Sequence, residues 1–376
     1  MNPGSALDTF AFIIHPIDPK RDVTRKFPLL GRMLSEQQID FFSTFFPPVY
    51  ISEITGITSQ ATGKEIKGWF VACPYTPRRM LELPERTVYN KIIQTGRLAE
   101  RLGAQILGLG AFTSVVGDAG ITIAQALEVP VTTGDSYTVI VAVEAIREAA
   151  RVMEIPLNTA TAAVVGATGA IGQVCAEFLA DDVERLYLIG RKHEKLEELR
   201  DRLKARAAPA ELIVSTKMDV LADAQLILTV TSAIHDVVRP EHLLPGSVIC
   251  DVARPRDVSA MVAAARDDIL VIDGGMVDIP GPVDFHFNFG FPPGKAYACM
   301  AETIALALEA RFEDYTLGKH LTRERVEEID AIARRHGFRL SGFRSFEREV
   351  TLEQIDTVRR NARKARHTRK LHVAQM

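Results

Sequence analysis

Seven consecutive residues, Gly166-Ala-Thr-Gly169-Ala-Ile-Gly172, restrict the fold of this chain more than any others. A short apolar run, Ala162-Ala-Val-Val165, precedes them, and an amphipathic segment carrying Ile171, Val174, Cys175, Phe178 and Leu179 follows. Glycine at such a place permits a tight strand-to-helix turn, lets backbone amides approach a pyrophosphate, and allows close packing of helix on sheet. The helix start offers open N–H groups and partial positive charge to an anion. The spacing is GxxGxxG rather than GxGxxG, so the motif draws its weight from context: strand before, helix after, a second strand in place. Gly166, Ala167, Thr168, Gly169, Ala170, Ile171 and Gly172 are therefore the first cofactor-binding candidates.

Downstream the chain alternates. Strand Leu186–Ile189 leads into a charged helix over about 193–205, and further strand candidates are Glu211–Val214, Leu226–Val230, Val248–Cys250 and Ile269–Ile272. Short strands separated by helices predict an α/β fold with a parallel, Rossmann-type sheet. The second strand ends at Ile189-Gly190-Arg191-Lys192, where an NAD enzyme needs an acid for the ribose 2′-hydroxyl. Two cations stand there instead. They suit a 2′-phosphate and favour NADPH, the alternative being a solvated surface loop. Thr231 and Ser232 follow the fourth strand, where loops cover a cofactor in such folds.

Residues 1–155 read as an N-terminal α/β substrate domain of short β-like runs, such as Val49–Ile54 and Lys67–Cys73, with loops rich in Pro and Gly. It closes with a helix near 136–153, where Val139, Val143, Ile146 and Ala150 form one apolar stripe. Pro156 and Asn158 mark a junction, residues 156–293 make the NADP domain, and residues 294–376 a C-terminal helical region.

Lys and Arg total 45 against 48 Asp and Glu, which argues against a nucleic-acid surface spread over the protein. Four cysteines in 376 residues cannot form a disulfide framework, and none lies in a CxxC pair, so neither zinc nor another dedicated metal cluster is expected. Thr9–Ile14 is too short for a signal core, and Leu157–Ala176 is too polar to span a membrane. A reducing cytoplasm is the expected compartment. There a cysteine is either packing or a working thiolate. Cys299 lies near a helix start, after a Pro/Gly loop and close to Lys295, and both features would lower its pKa. The competing reading is a buried small hydrophobe. Cys73, Cys175 and Cys250 sit in apolar runs and fit packing.

Several separated segments together resemble the cyanobacterial long-chain acyl–acyl-carrier-protein reductases, which form fatty aldehydes. They are Ala61-Thr-Gly-Lys64, Leu109-Gly-Ala-Phe-Thr-Ser114, Thr132-Thr-Gly134, Val164–Gly172, Ala298-Cys-Met-Ala-Glu302 and Arg335-His-Gly-Phe338. They occur in the same order over about residues 10–340. The resemblance implies that Cys299 accepts the acyl group, that NADPH reduces it, and that His15 and Ser114, with Thr113, are catalytic candidates for the proton source or oxyanion donors, the alternative being a structural hydrogen-bonding role. A fatty acyl carrier protein or acyl-CoA would be the substrate. Departures from the pattern are Ala111 in place of a second Gly, Asp135-Ser-Tyr after Thr-Thr-Gly, Ala170 in place of an acid, and roughly thirty extra C-terminal residues.

Segment Cys250-Asp-Val-Ala-Arg-Pro-Arg-Asp-Val258 also resembles a strand-end motif of glutamyl-tRNA reductases and shikimate dehydrogenases. An NADP-dependent dehydrogenase of either kind is thus an alternative, and a non-catalytic NADP-sensing module is another. Phe41, Phe42, Phe45 and Phe46 fall on a helix face and could line an acyl groove, though core packing is the expectation. His286 is expected to pack in an aromatic loop. The acid-free run from Arg359 to Lys370, with Arg360, Arg363, Lys364, Arg366 and Arg369, suits an acidic carrier, anionic lipid or RNA, but a frayed solvated tail is the expectation.

Overall fold

A computed structural model describes residues 7–233, 237–253, 256–346 and 348–374. The chain forms two compact units. One comprises Met1–Tyr137 with Val277–Arg339, the other Thr138–Met276 with Leu340–Met376. The segment after Pro293 is therefore not a region of its own: its first part belongs to the N-terminal unit and its last part to the Rossmann-type unit.

The first unit is built on a five-stranded sheet: β1 (Asp8–Ile14), β2 (Val49–Thr58), β3 (Glu65–Ala72), β4 (Leu107–Leu109) and β5 (Val131–Thr132), in the order β2-β3-β1-β4-β5. β1 runs parallel to β3 and β4, and only β2 is antiparallel to its neighbour. The central strand carries Phe10, Ala11, Phe12 and Ile13, all within 2% of full burial, as its unbroken apolar run requires of a strand covered on both faces. One cover is the helix Glu85–Leu102, whose Val88, Ile92 and Ala99 are buried and which stops at Gly103 in the left-handed region. Another element of this unit is the helix Ala298–Leu308, apolar but for Glu302 and Thr303, and every residue of it but Cys299 is buried.

The second unit has six parallel strands, β6 (Thr161–Val165), β7 (Arg185–Ile189), β8 (Glu211–Ser215), β9 (Leu226–Thr229), β10 (Val248–Asp251) and β11 (Leu270–Asp273), in the order β11-β10-β9-β6-β7-β8. Counted from β6, that is the doubly wound order 3-2-1-4-5-6, with the switch point between β6 and β9. The expected α/β class with a parallel Rossmann-type sheet is found, and the helix expected over 193–205 spans His193–Ala205. In the helix Asp135–Val152, the stripe Val139, Val143, Ile146 and Ala150 is fully buried.

Three expectations are corrected. The C-terminal basic run is not frayed: it forms the helix Leu352–Ala374, with Ile355 and Ala362 buried. Arg359 and Arg363 pair with Glu154, Arg366 donates to the Pro245 carbonyl at 2.8 Å, and Asn361 donates to Asp267. An amphipathic face and internal acceptors order it; the Arg369 and Lys370 side chains lie outside the described residues. The Phe41–Phe46 cluster is not core either, with Phe41 52% and Phe45 69% exposed, because the helix Glu36–Ser43 buries Ile39, Asp40 and Ser43 instead. His286 points outward and bonds the Thr55 hydroxyl at 3.0 Å, whereas the phenylalanines around it pack, Phe289 on Phe70 at 4.4 Å.

Candidate active site

The glycine turn follows β6 directly. The Gly166 and Ala167 amides donate to the Ile189 carbonyl, tying the turn to the end of β7. Gly166 has φ +88°, and a Cβ there would lie 2.6 Å from the Val230 carbonyl oxygen. A Cβ at Gly172 would come within 2.2 Å of the Gly166 oxygen, so the helix Ala170–Asp182 starts pressed against the turn. No side chain caps that helix at Gly169, which leaves its first amides open to an anion. The cradle fits a dinucleotide pyrophosphate.

Arg191 and Lys192, past β7, are exposed, and neither pairs with an acid among the described residues. Past β9, Thr231 is held by Asp257, which accepts from its amide at 2.9 Å and from its hydroxyl. Ser232 is exposed. Burial pushes the Asp257 carboxyl up to about 6, against the Thr231 bonds that hold it down. Asp251, at the end of β10, gathers the Thr229 hydroxyl at 3.1 Å and the Ala253 and Val258 amides at 3.1 and 3.0 Å. Those bonds fold the Cys250–Val258 segment, of which Arg254 and Pro255 lie outside the described residues. Asp251 and Asp257 thus shape the loop that carries Thr231, a task no local pattern assigned to them.

The first unit holds the second group of candidates. Cys73, Cys175 and Cys250 are fully buried, as expected for packing, while Cys299 alone among the four keeps partial exposure. It is the second residue of the helix Ala298–Leu308. Gly134 lies against it, with φ +78°, and the backbone amides of Met300 and Ala111 favour its ionised form. The expected low pKa is not found. Burial, with the charges of Asp135 and then Glu302, outweighs the amides and pushes the thiol up to about 12. Lys295 pairs with Asp278, its ammonium 2.6 Å from that carboxylate.

The turn beside the sulfur is braced throughout. The Phe112 amide donates to His15 Nε2 at 3.0 Å, Thr113 Oγ1 donates to the Gly110 carbonyl and accepts from its amide, and Ser114 Oγ donates to the Ala111 carbonyl at 2.7 Å. Between them Ala111 is held at φ 48°, a conformation that glycine adopts far more readily than alanine. His15 is buried, and burial, partly offset by the Pro16 backbone, lowers its pKa to about 4. At neutral pH it is an uncharged hydrogen-bond acceptor for the turn. Ser114 likewise spends its hydroxyl on the backbone.

Two acids that residue patterns had not singled out complete the surroundings. Glu302, fully buried, accepts from the Thr132 hydroxyl, from the Thr316 hydroxyl at 2.8 Å and from the Tyr137 amide at 2.8 Å. Burial still pushes its carboxyl up. Asp135 is 7% exposed, and burial together with the Glu302 charge pushes it up to about 7. The available signal was Glu302 itself, the lone charge in Ala298–Leu308.

At the other end of the same helix, Lys64 Nζ donates to the Ala307 and Leu308 carbonyls and pairs with Asp8. Next to it Ser59 Oγ meets His336 Nδ1 at 2.8 Å, and His336 Nε2 meets Glu309 at 2.8 Å. That chain of groups is no hydrolytic triad. Ser59 is 2% exposed, and its oxygen already accepts from the Ala61 and Thr62 amides. So the segments 61–64, 109–114, 132–134, 298–302 and 335–338 all gather on one helix, at its two ends.

Residues 147–273 match the family model described as shikimate / quinate 5-dehydrogenase. This stretch is an NAD(P)-dependent oxidoreductase domain. Over 360 residues the chain is 32% identical to the aminotransferase PigE of a Serratia species, an alignment covering 93% of this chain and 42% of that protein. The chain therefore spans about two fifths of that relative's length. It is 29% identical over 340 residues to the long-chain acyl-[acyl-carrier-protein] reductase of Synechococcus elongatus, covering 86% of this chain and 95% of that protein. A stretch of 108 residues, 28% of this chain, is 34% identical to glutamyl-tRNA reductase of Caldicellulosiruptor saccharolyticus and covers 26% of that protein.

Proposed function

We propose that this chain reduces long-chain fatty acyl thioesters to aldehydes, with NADPH as reductant and Cys299 as the acyl carrier on the enzyme. The observation that carries the reading is the setting of Cys299: the one partly exposed cysteine, at the start of a buried helix, with two backbone amides turned to its sulfur. The alignment with the Synechococcus reductase supports it, since that relative is matched over nearly its whole length. The aminotransferase name does not carry over by itself, because less than half of that protein is shared.

In this reading the Cys299 sulfur attacks the thioester carbonyl and expels the carrier thiol, splitting one hard reduction into two easier steps. The amides of Ala111 and Met300 donate hydrogen bonds to negative charge that develops beside the sulfur. His15, Thr113 and Ser114 keep the Ala111 turn in place for that task. NADPH, held at Gly166–Gly172 with Arg191 and Lys192 on its 2′-phosphate, supplies the hydride when bound. Thr231 and Ser232 border that cofactor site. A shikimate- or quinate-type dehydrogenase is a second reading, favoured by the family match, but that match stops at the dinucleotide half.

The test is covalent labelling. Incubation with radiolabelled palmitoyl carrier protein or palmitoyl-CoA, without NADPH, should leave acyl label on Cys299, absent in Cys299→Ala. Intact NADPH binding without any label in the wild type overturns the thioester reading.

A further inference from the structure

Burial and the neighbouring carboxylates push the Cys299 thiol well above its ordinary value, so it is protonated at neutral pH and attack on a thioester calls for a group that takes the proton as the bond forms. The polar groups around Cys299 can be taken in turn. Glu302 is enclosed, with both oxygens occupied by three donors. His15 is committed to the Phe112 amide and Ser114 to the Ala111 carbonyl. Lys295 is held by Asp278. Asp135 differs from all of these. It follows Gly134, whose backbone lies so close to Cys299 that a Cβ at 134 would sit 2.4 Å from the cysteine Cβ. Its carboxyl is nearly buried, adjoins that contact in the chain, and its charge acts on both the sulfur and Glu302.

We propose that Asp135 is the proton carrier of the Cys299 site. The inference rests on the thioester reading above and gives it the base it otherwise lacks. The Asp135 carboxylate takes the S–H proton as the sulfur–carbonyl carbon bond forms. As the carbon–sulfur bond to the carrier breaks, the same proton passes to the departing thiolate, so the carrier leaves as a thiol and Asp135 returns to its ionised form. No oxidant or reductant enters this step. The group's own titration near 7, set by burial and by the Glu302 charge, matches it to a proton that must move both ways.

The experiment compares wild type with Asp135→Asn, which keeps the shape of the side chain, in two assays across pH 5.5–9. One is single-turnover acylation of Cys299 by palmitoyl-CoA; the other is alkylation of the same sulfur by iodoacetamide. Acylation should fall about 100-fold or more and lose its inflection near neutrality. Alkylation should hold or rise, because removing a negative charge beside a thiol lowers its pKa. That opposition is what a merely structural role would not give. Acylation within threefold of wild type with an unchanged profile overturns the proposal, and so does a parallel fall of both rates, which means a displaced sulfur. No acylation of wild type, with alkylation intact, overturns the thioester reading and the proton role with it.

Discussion

Gly134 and Cys299 are in backbone contact: a methyl group at 134 would lie 2.3 Å from the Cys299 Cα, and Gly134 itself has φ +78°. The Thr-Thr-Gly segment is thereby a seat for the start of the cysteine helix. Substitution Gly134→Ala should destabilise the chain by at least about 2 kcal/mol, through positive-φ strain and overlap with backbone that cannot rotate away. A urea midpoint unchanged from wild type would contradict this packing.

His15 gives a prediction in pH. Its folded pKa is about 4, below the ordinary 6.5, so the unfolded chain takes a proton first as pH falls. The stability tied to its neutral form is complete above 6.5 and is lost as pH drops from there towards 4. The full effect is on the order of 3 kcal/mol. Denaturation at pH 7, 5.5 and 4.5 should show a shallower decline in His15→Gln than in wild type, since glutamine can still accept from the Phe112 amide but does not titrate.

The sign is opposite in form for Asp135. Its folded pKa is raised to about 7 from 3.8, so the unfolded chain gives up a proton that the folded chain retains. The folded state is penalised increasingly from about pH 4 to 7 and fully above that. Asp135→Asn should therefore be more stable than wild type at pH 8, by a few kcal/mol at most, and no more stable at pH 4. Such a gain would mark a site where function is kept at the expense of stability. Equal stabilities at pH 8 would mean that the carboxyl is better solvated than its setting implies.

Arg191 and Lys192 bear on the choice of cofactor. Replacing both by Ala should weaken NADPH binding about 10- to 100-fold, the loss of charge-assisted contacts to a 2′-phosphate, and leave NADH binding within about twofold. Fluorescence titration with both nucleotides decides the matter. Equal losses for the two would place these cations elsewhere than on the 2′-phosphate.

Lys64 closes the far end of the cysteine helix, where two terminal carbonyls would otherwise lack a cation. In Lys64→Met, stability should drop by about 1 kcal/mol, and more if Asp8 is left without its partner. Thermal unfolding of the double variant Asp8→Asn with Lys64→Met would separate the two contributions.

Much of the fold could be read locally. The alternation of four- and five-residue apolar runs with helices gives the six-stranded parallel sheet, because a strand covered on both faces must be apolar throughout and a parallel neighbour needs a helical crossover. The glycine turn was legible because Gly172 answers to the Gly166 oxygen of its own turn, although Gly166 itself answers to Val230 past β9. Less legible was the environment of Cys299. A helix start near a lysine reads as activating, yet Lys295 pairs with Asp278, and the charges that act on the sulfur are those of Asp135, more than 160 residues away in the chain, and of Glu302 on the next helical turn.

The sequence by itself determined the doubly wound sheet, the phosphate cradle after β6 and the cations past β7, since each depends on periodicity and on neighbours a few residues away. Tertiary structure alone decided the state of the cysteine, the exposure of Phe41 and Phe45, and the ordering of the basic C-terminal helix. Each of these follows from which distant groups share a burial site or an ion pair, and desolvation and charge act through space rather than along the chain.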